Sequence, residues 1–344
     1  MSALLRQSMF NFRNTFILII CLCFQTANAA WTKQNSNTLS WLHDVYFTSE
    51  KTGWIAGSSG TLLKTVDGGM SWQPEKKFTE DSLNQIYFTD EKNGWILCER
   101  NIYNRGSKMS SYLLKTTDGG INWEKKEFDE GSRERITRIL FNQYGSGLAF
   151  GEGGAFFTFS QTEEKWKKNV APVRYLLLDG FFTDNFNGVI VGAGGTILFT
   201  EDAGTNWNQA NIFGDKSAKL NSIFFHNQKT GWTAGANGKI FQTLSGGKTW
   251  REQNSGTTKN LNDITFVNSA EGFAVGDNGT ILHTTTAGNI WQTQISNAKH
   301  KLEKIYFVRE KGFAVGFGGT ILMYDEAKDV QRSENRPILR QRKY

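Results

Sequence analysis

The chain has 344 residues, of which 38% are hydrophobic and 13% aromatic, with 36 Gly and only 3 Pro. This composition excludes a disordered or low-complexity chain and supplies one large β-rich domain. The net charge of +6 is concentrated at one end: residues 327–344 carry Lys328, Arg332, Arg336, Arg340, Arg342 and Lys343 against Asp329 and Glu334, which excludes the distributed positive field of a nucleic-acid binder.

In chain order, residues 1–29 read first as a secretory signal. Arg6 and Arg13 supply the positive start, "TFILIICLCF" (15–24) the apolar core, and Ala27-Asn28-Ala29 the small-residue cleavage site. An apolar run of about ten residues falls short of the roughly 20 that span a bilayer. The expectation is export to the periplasm or extracellular space, with no membrane insertion after cleavage. Cys21 and Cys23 fall inside this signal, so Cys98 stands alone in the mature chain. No intrachain disulfide is available, and stability must come from packing.

Residues 30–326 repeat one phrase. It reads "LHDVYFTSEKTGWIAGSSGTLLKTVDGGMSW" at 42–72, "LNSIFFHNQKTGWTAGANGKIFQTLSGGKTW" at 220–250 and "LNDITFVNSAEGFAVGDNGTILHTTTAGNIW" at 261–291. Further copies start at Leu83, Ile136, Leu177 and Leu302. The closing Trp residues 31, 72, 123, 166, 207, 250 and 291 recur with a period of about 42, and each unit holds short alternating β-branched and aromatic runs divided by Gly. That pattern predicts an all-β, seven-bladed propeller of four-stranded antiparallel blades.

Within a unit, L-x-x-I-x-F is the innermost strand and G-[WF]-x-x-G the second. "GANG" (235–238) and "GDNG" (276–279) then make a tight hairpin, because Asn-Gly accepts the positive φ of a type I′ turn. The T-I-L-x-T run is the third strand and the Trp opens the outer one. The unit starting at Leu302 ends without a Trp, while Trp31 opens "WTKQ" with no unit before it. The N-terminal segment is therefore expected to supply the missing outer strand of the last blade and close the ring.

Between the third and outer strands sits T-x-D-x-G-x-x-W, intact with Asp67 and Trp72, Asp118 and Trp123, and Asp202 and Trp207. Ser245 and Thr286 replace the acid in two units, and the third and seventh units lack the motif. This resembles the Asp-box, or BNR, repeat. Its Asp is expected to accept backbone N–H bonds inside its own hairpin while the Trp covers the turn. One carboxylate per turn falls far short of the six to eight oxygens that calcium takes, so no metal or other cofactor is expected.

The combined motifs over residues 31–326 resemble the photosystem II stability and assembly factor family. The resemblance implies an exported propeller, lumenal in a photosynthetic host, that holds reaction-centre assembly intermediates through an arginine-rich patch. The reading is a monomeric, non-catalytic, protein-binding scaffold. Its expected contact region is the insertion "CERNIYNRGSKMSS" (98–111) with the neighbouring "DEGSRER". Arg100, Tyr103, Arg105, Lys108, Arg133, Arg135 and Arg138 there compose a basic-aromatic corner suited to an acidic partner segment.

The alternative is a carbohydrate-active enzyme, since Asp-boxes also occur in sialidases. A sialidase needs three converging Arg for the substrate carboxylate, and the innermost strands offer one, Arg138, with Arg174 and Arg309 flanking two others. Asp44, Asp179, Asp263 and Glu303 lie on innermost strands near the expected axis, where two carboxyls about 5 to 10 Å apart serve as acid and base. The competing reading is that these acids bond neighbouring backbone. The four His fall at unlike repeat positions and no Cys/His pair has ligand spacing.

Overall fold

The computed structural model describes residues 31–101, 110–128 and 133–325. The expected signal (1–29), the basic tail (327–344) and Tyr103, Arg105 and Lys108 lie outside those residues. Seven sheets stand around one axis, each built on antiparallel neighbours, and in all but the fifth and seventh the strands follow the order of the chain, as in Leu42–Phe47, Gly53–Gly57, Leu62–Thr65 and Gln73–Pro74. Among the described residues no helix is long and apolar enough to cross a membrane.

The burial pattern explains the motif. Every residue of the second strand Gly231–Gly235 is buried, because that strand is sandwiched between the neighbouring blades. The innermost strand Leu220–Phe225 instead alternates, with Asn221 and Phe224 only partly covered because they face the axis. The Phe that ends each innermost strand lies flat over the Gly that begins the second. A Cβ added at Gly231 would stand 2.7 Å from the Phe225 ring. Gly231→Ala is therefore expected to cost about 1–3 kcal/mol by overpacking, read as a lower denaturation midpoint at unchanged slope.

The hairpin after the second strand is the type I′ turn that Asn-Gly favours. Asn237 and Gly238 have φ of +56° and +71°, and the Lys239 amide closes the turn on Ala236 O at 3.1 Å. At the other end of the chain, Trp31–Gln34 pairs antiparallel with Thr320–Asp325, so the first described strand is the outer strand of the seventh blade. One blade exceeds four strands. Asn211–Phe213, in the connection leaving the fourth blade, adds a parallel strand to the outer edge of the fifth at Thr249–Gln253. A three-residue strand carries no alternation to read in sequence, and its effect is to cover an edge that would otherwise be open.

The three intact Asp-box turns share one geometry. At the first, Asp67 Oδ1 accepts the Ser71 amide at 3.0 Å and the Thr65 hydroxyl at 2.7 Å, while the Gly69 amide bonds Thr65 Oγ1 at 2.9 Å. Bonds from the Ser71 hydroxyl and amide hold the Asp67 carboxyl down to about 2. Asp118 and Asp202 repeat the arrangement with Asn122 and Asn206. Where Ser245 and Thr286 replace the acid, their hydroxyls accept the Thr249 and Ile290 amides at 3.0 and 2.9 Å. Among the described residues there is no cluster of three or more His, Cys, Asp or Glu side chains placed to hold a metal ion.

Candidate functional site

All seven innermost strands carry a register shift at the same place, between their first and third residues, as at Leu42/Asp44 and Leu302/Lys304. Each second residue is thus a bulge, and a bulge re-aims its side chain. His43, Asn84, Thr137, Leu178, Asn221, Asn262 and Glu303 consequently line the mouth of an axial cavity of about 620 Å³. Ser58, Glu99 and Asp277 join them from the hairpins between second and third strands, which places the cavity on the face of the expected insertion.

Below the bulges, the third residues form a ring of Asp44, Gln85, Arg138, Asp179, Ser222, Asp263 and Lys304. This ring is bonded from blade to blade. Asp44 Oδ2 accepts the Ile86 amide of the next blade at 3.0 Å, Asp179 Oδ2 the Ile223 amide at 3.0 Å, and Asp263 Oδ2 the Ile305 amide at 2.9 Å. Gln85 takes both backbone groups of Ile139, at 2.8 and 2.9 Å. Arg138 Nε donates to Asp179 at 2.6 Å and the Ser222 hydroxyl to Asp263 at 2.5 Å. Six consecutive blade interfaces are linked in this way. Among the described residues the interface between the seventh blade and the first has no link of this kind.

The four axial acids therefore divide. Asp44, Asp179 and Asp263 share the ring, and each commits Oδ2 to the next blade's backbone while Oδ1 takes an amide of its own strand or a side chain of the ring. Burial pushes the Asp44 carboxyl up even though it keeps these bonds. Glu303 sits one residue earlier, on a bulge, beside Lys301 at 2.8 Å, and burial raises it too. His43, which sequence reading passed over, lies in the same cavity with Nε2 2.9 Å from Ser58 Oγ, and burial lowers it to about 4. A folded-state value below the unfolded 6.5 means that the unfolded chain binds the proton first. His43 is expected to withdraw stability progressively between pH 6.5 and about 4, and His43→Gln should flatten that part of a stability–pH profile.

The basic corner is split by the fold. Arg100 lies at the outer side, where Nε donates to Ser110 Oγ at 2.7 Å, Nη2 reaches both Glu127 oxygens at 2.8 and 2.9 Å, and the guanidinium covers the Tyr112 ring. Arg135 bridges Glu99 at 3.0 Å and Glu152 at 2.5 Å on the cavity wall. Arg138 is in the axial ring. Arg133 is exposed, and its amide bonds Glu134 at 3.1 Å. Arg135 and Arg138 thus meet in the cavity, while Arg100 stands apart with its own acid.

The family model described as "Photosynthesis system II assembly factor YCF48" matches residues 24–107, 158–255 and 248–334. The photosystem II assembly protein Ycf48 of Synechococcus sp. (strain JA-2-3B'a(2-13)) is 27% identical over 143 residues, 40% of this chain and 42% of that protein. The chain therefore spans about two-fifths of that relative's length in the match. The photosystem II assembly lipoprotein Ycf48 of Picosynechococcus sp. (strain ATCC 27264 / PCC 7002 / PR-6) is 25% identical over 282 residues, 68% of this chain and 82% of that protein. Among solved structures, "YCF48 bound to D1 peptide" superposes with a TM-score of 0.71 at 22% identity, covering 87% of this chain and 97% of that one.

Proposed function

The chain belongs to the photosynthesis system II assembly factor YCF48 family, and on that premise we propose that it is an exported, monomeric, non-catalytic scaffold that holds a segment of a photosystem II assembly intermediate. The observation that carries the non-catalytic reading is the axial ring. Asp44, Asp179 and Asp263 each hold the backbone of the next blade, so their hydrogen bonds are spent on keeping the ring together rather than on poising an acid and a base. Export is supported by the signal-like residues 1–29 and by relatives named as lipoproteins.

The partner segment is proposed to lie on the cavity face, across the insertion around 102–109 and Arg133. The likeness to a propeller solved with a D1 peptide supports a peptide segment as the ligand. Arg100 and Arg135 keep their intramolecular acids in this reading, Arg135 as part of the cavity wall and Arg100 outside it, leaving Arg133 and the insertion to supply the contacts. Full-length protein titrated with a synthetic D1 peptide tests it. Replacing 102–109 with two Gly is expected to preserve a cooperative melt and weaken capture about tenfold or more, and Arg133→Glu should reduce the association rate and its salt dependence. Undiminished capture in both variants would remove the insertion from the site.

A further inference from the structure

The opposite end of the axis holds a second, different site. Below the charged ring, the fifth residues of the innermost strands include Tyr46, Tyr87, Phe181, Phe224 and Tyr306, which form the aromatic wall of a cup of about 370 Å³ that is closed toward the ring by Asp44, Arg138, Asp263 and Lys304. Two of its three tyrosine hydroxyls are already used: that of Tyr46 donates to Phe88 O at 2.7 Å and that of Tyr306 to Phe47 O at 3.4 Å. Such a concave aromatic surface suits a short aliphatic group.

We propose that the cup is the docking site of this chain's own C-terminal segment, with Ile338 and Leu339 inserted and the flanking Arg336 and Arg340 lying over the surrounding turns. The chain leaves the last described strand, Thr320–Asp325, on this same face, because the third strand of a blade ends where the innermost one ends. That strand stands two strand spacings, about 10 Å, outside the innermost strand of its blade. The roughly thirteen residues from Asp325 to Ile338 reach up to about 43 Å, ample to arrive at the axis. The charge is complementary as well. The Asp-box turns and their third-blade counterpart carry Asp67, Asp118, Glu163, Glu164, Glu201 and Asp202 against Lys165 and Lys248, whereas the tail is basic.

The test is photo-cross-linking of the full chain with photo-leucine, a diazirine, in place of Leu339. The expected adducts lie within one molecule, on peptides containing Tyr46, Tyr87, Phe181, Phe224 or Tyr306. Ile338→Asp in the same labelled chain should lower their yield about tenfold, the scale of one lost aliphatic contact. This substitution lies beyond the described propeller, so its effect is not confounded with folding. Adducts on the cavity face, adducts between two copies, or a yield unchanged by Ile338→Asp would each overturn the proposal. Capture of the D1 peptide on the other face is an independent measurement.

Discussion

Trp31→Ala is expected to lower the melting temperature by on the order of 10 °C, from a loss of about 3–5 kcal/mol for truncating a buried Trp. Starting the chain at Asn35 should do more, leaving a propeller that opens and self-associates. The reason is that residues 31–34 tie down two blades. They pair along Thr320–Asp325 of the seventh blade, and the Trp31 ring packs edge-on to Phe273 of the sixth at 6.1 Å. Trp31 Nε1 donates to Gln294 Oε1 at 2.8 Å, Gln294 Nε2 stands 3.0 Å from His283 Nδ1, and His283 Nε2 is 2.9 Å from Glu271. The same strand leads straight into the first blade, across the one interface that the ring of third residues leaves out and where the axial link is the longer bond from the Tyr306 hydroxyl to Phe47 O at 3.4 Å. Removing it exposes the Thr320–Asp325 edge with Tyr324 and Met323, a template for pairing with another copy. Calorimetry and size-exclusion chromatography measure both effects. A Trp31→Ala protein that melts within 2 °C of the parent would show that closure resides elsewhere.

The closure was legible because an orphan Trp and a unit lacking one are complementary absences in a repeat, and a repeat exposes whatever breaks it. The bulges were not. Their positions hold His, Asn, Thr, Leu, Asn, Asn and Glu, a series with no common chemistry for a motif to capture. For the same reason the different settings of Arg135 and Arg138 within the one cavity were not readable. They lie close in the chain, but Arg135 stands on the cavity wall before the innermost strand, whereas Arg138 follows the bulge and points into the ring. One extra residue decides which way a strand's side chains face. The acids at the strand starts were readable as backbone ligands in general terms. That each one reaches the blade after its own, with Asp44 and Asp179 also holding the next amide of their own strand, needed the three-dimensional arrangement.

The ring then yields its own test, because its members should not cost the same. Asp179→Ala is expected to destabilise the protein by about 3–5 kcal/mol, since it leaves the Arg138 guanidinium in the ring without its counter-charge and the Ile223 amide without an acceptor. Asp44→Ala removes the acceptor of the Ile86 and Val45 amides but strands no cation in direct contact, since Lys304 and Arg138 act on Asp44 only at longer range, and should cost about 1–3 kcal/mol. Adding Arg138→Met to Asp179→Ala removes the stranded charge and should recover much of the loss, giving a coupling energy that chemical denaturation of the four proteins measures directly. If Asp179→Ala proves no worse than Asp44→Ala, water in the cavity above is satisfying Arg138, and the pair does not lock the third blade to the fourth. A large coupling instead means that the charged ring orders the blades around the axis, and that the cavity walls inherit their positions from it.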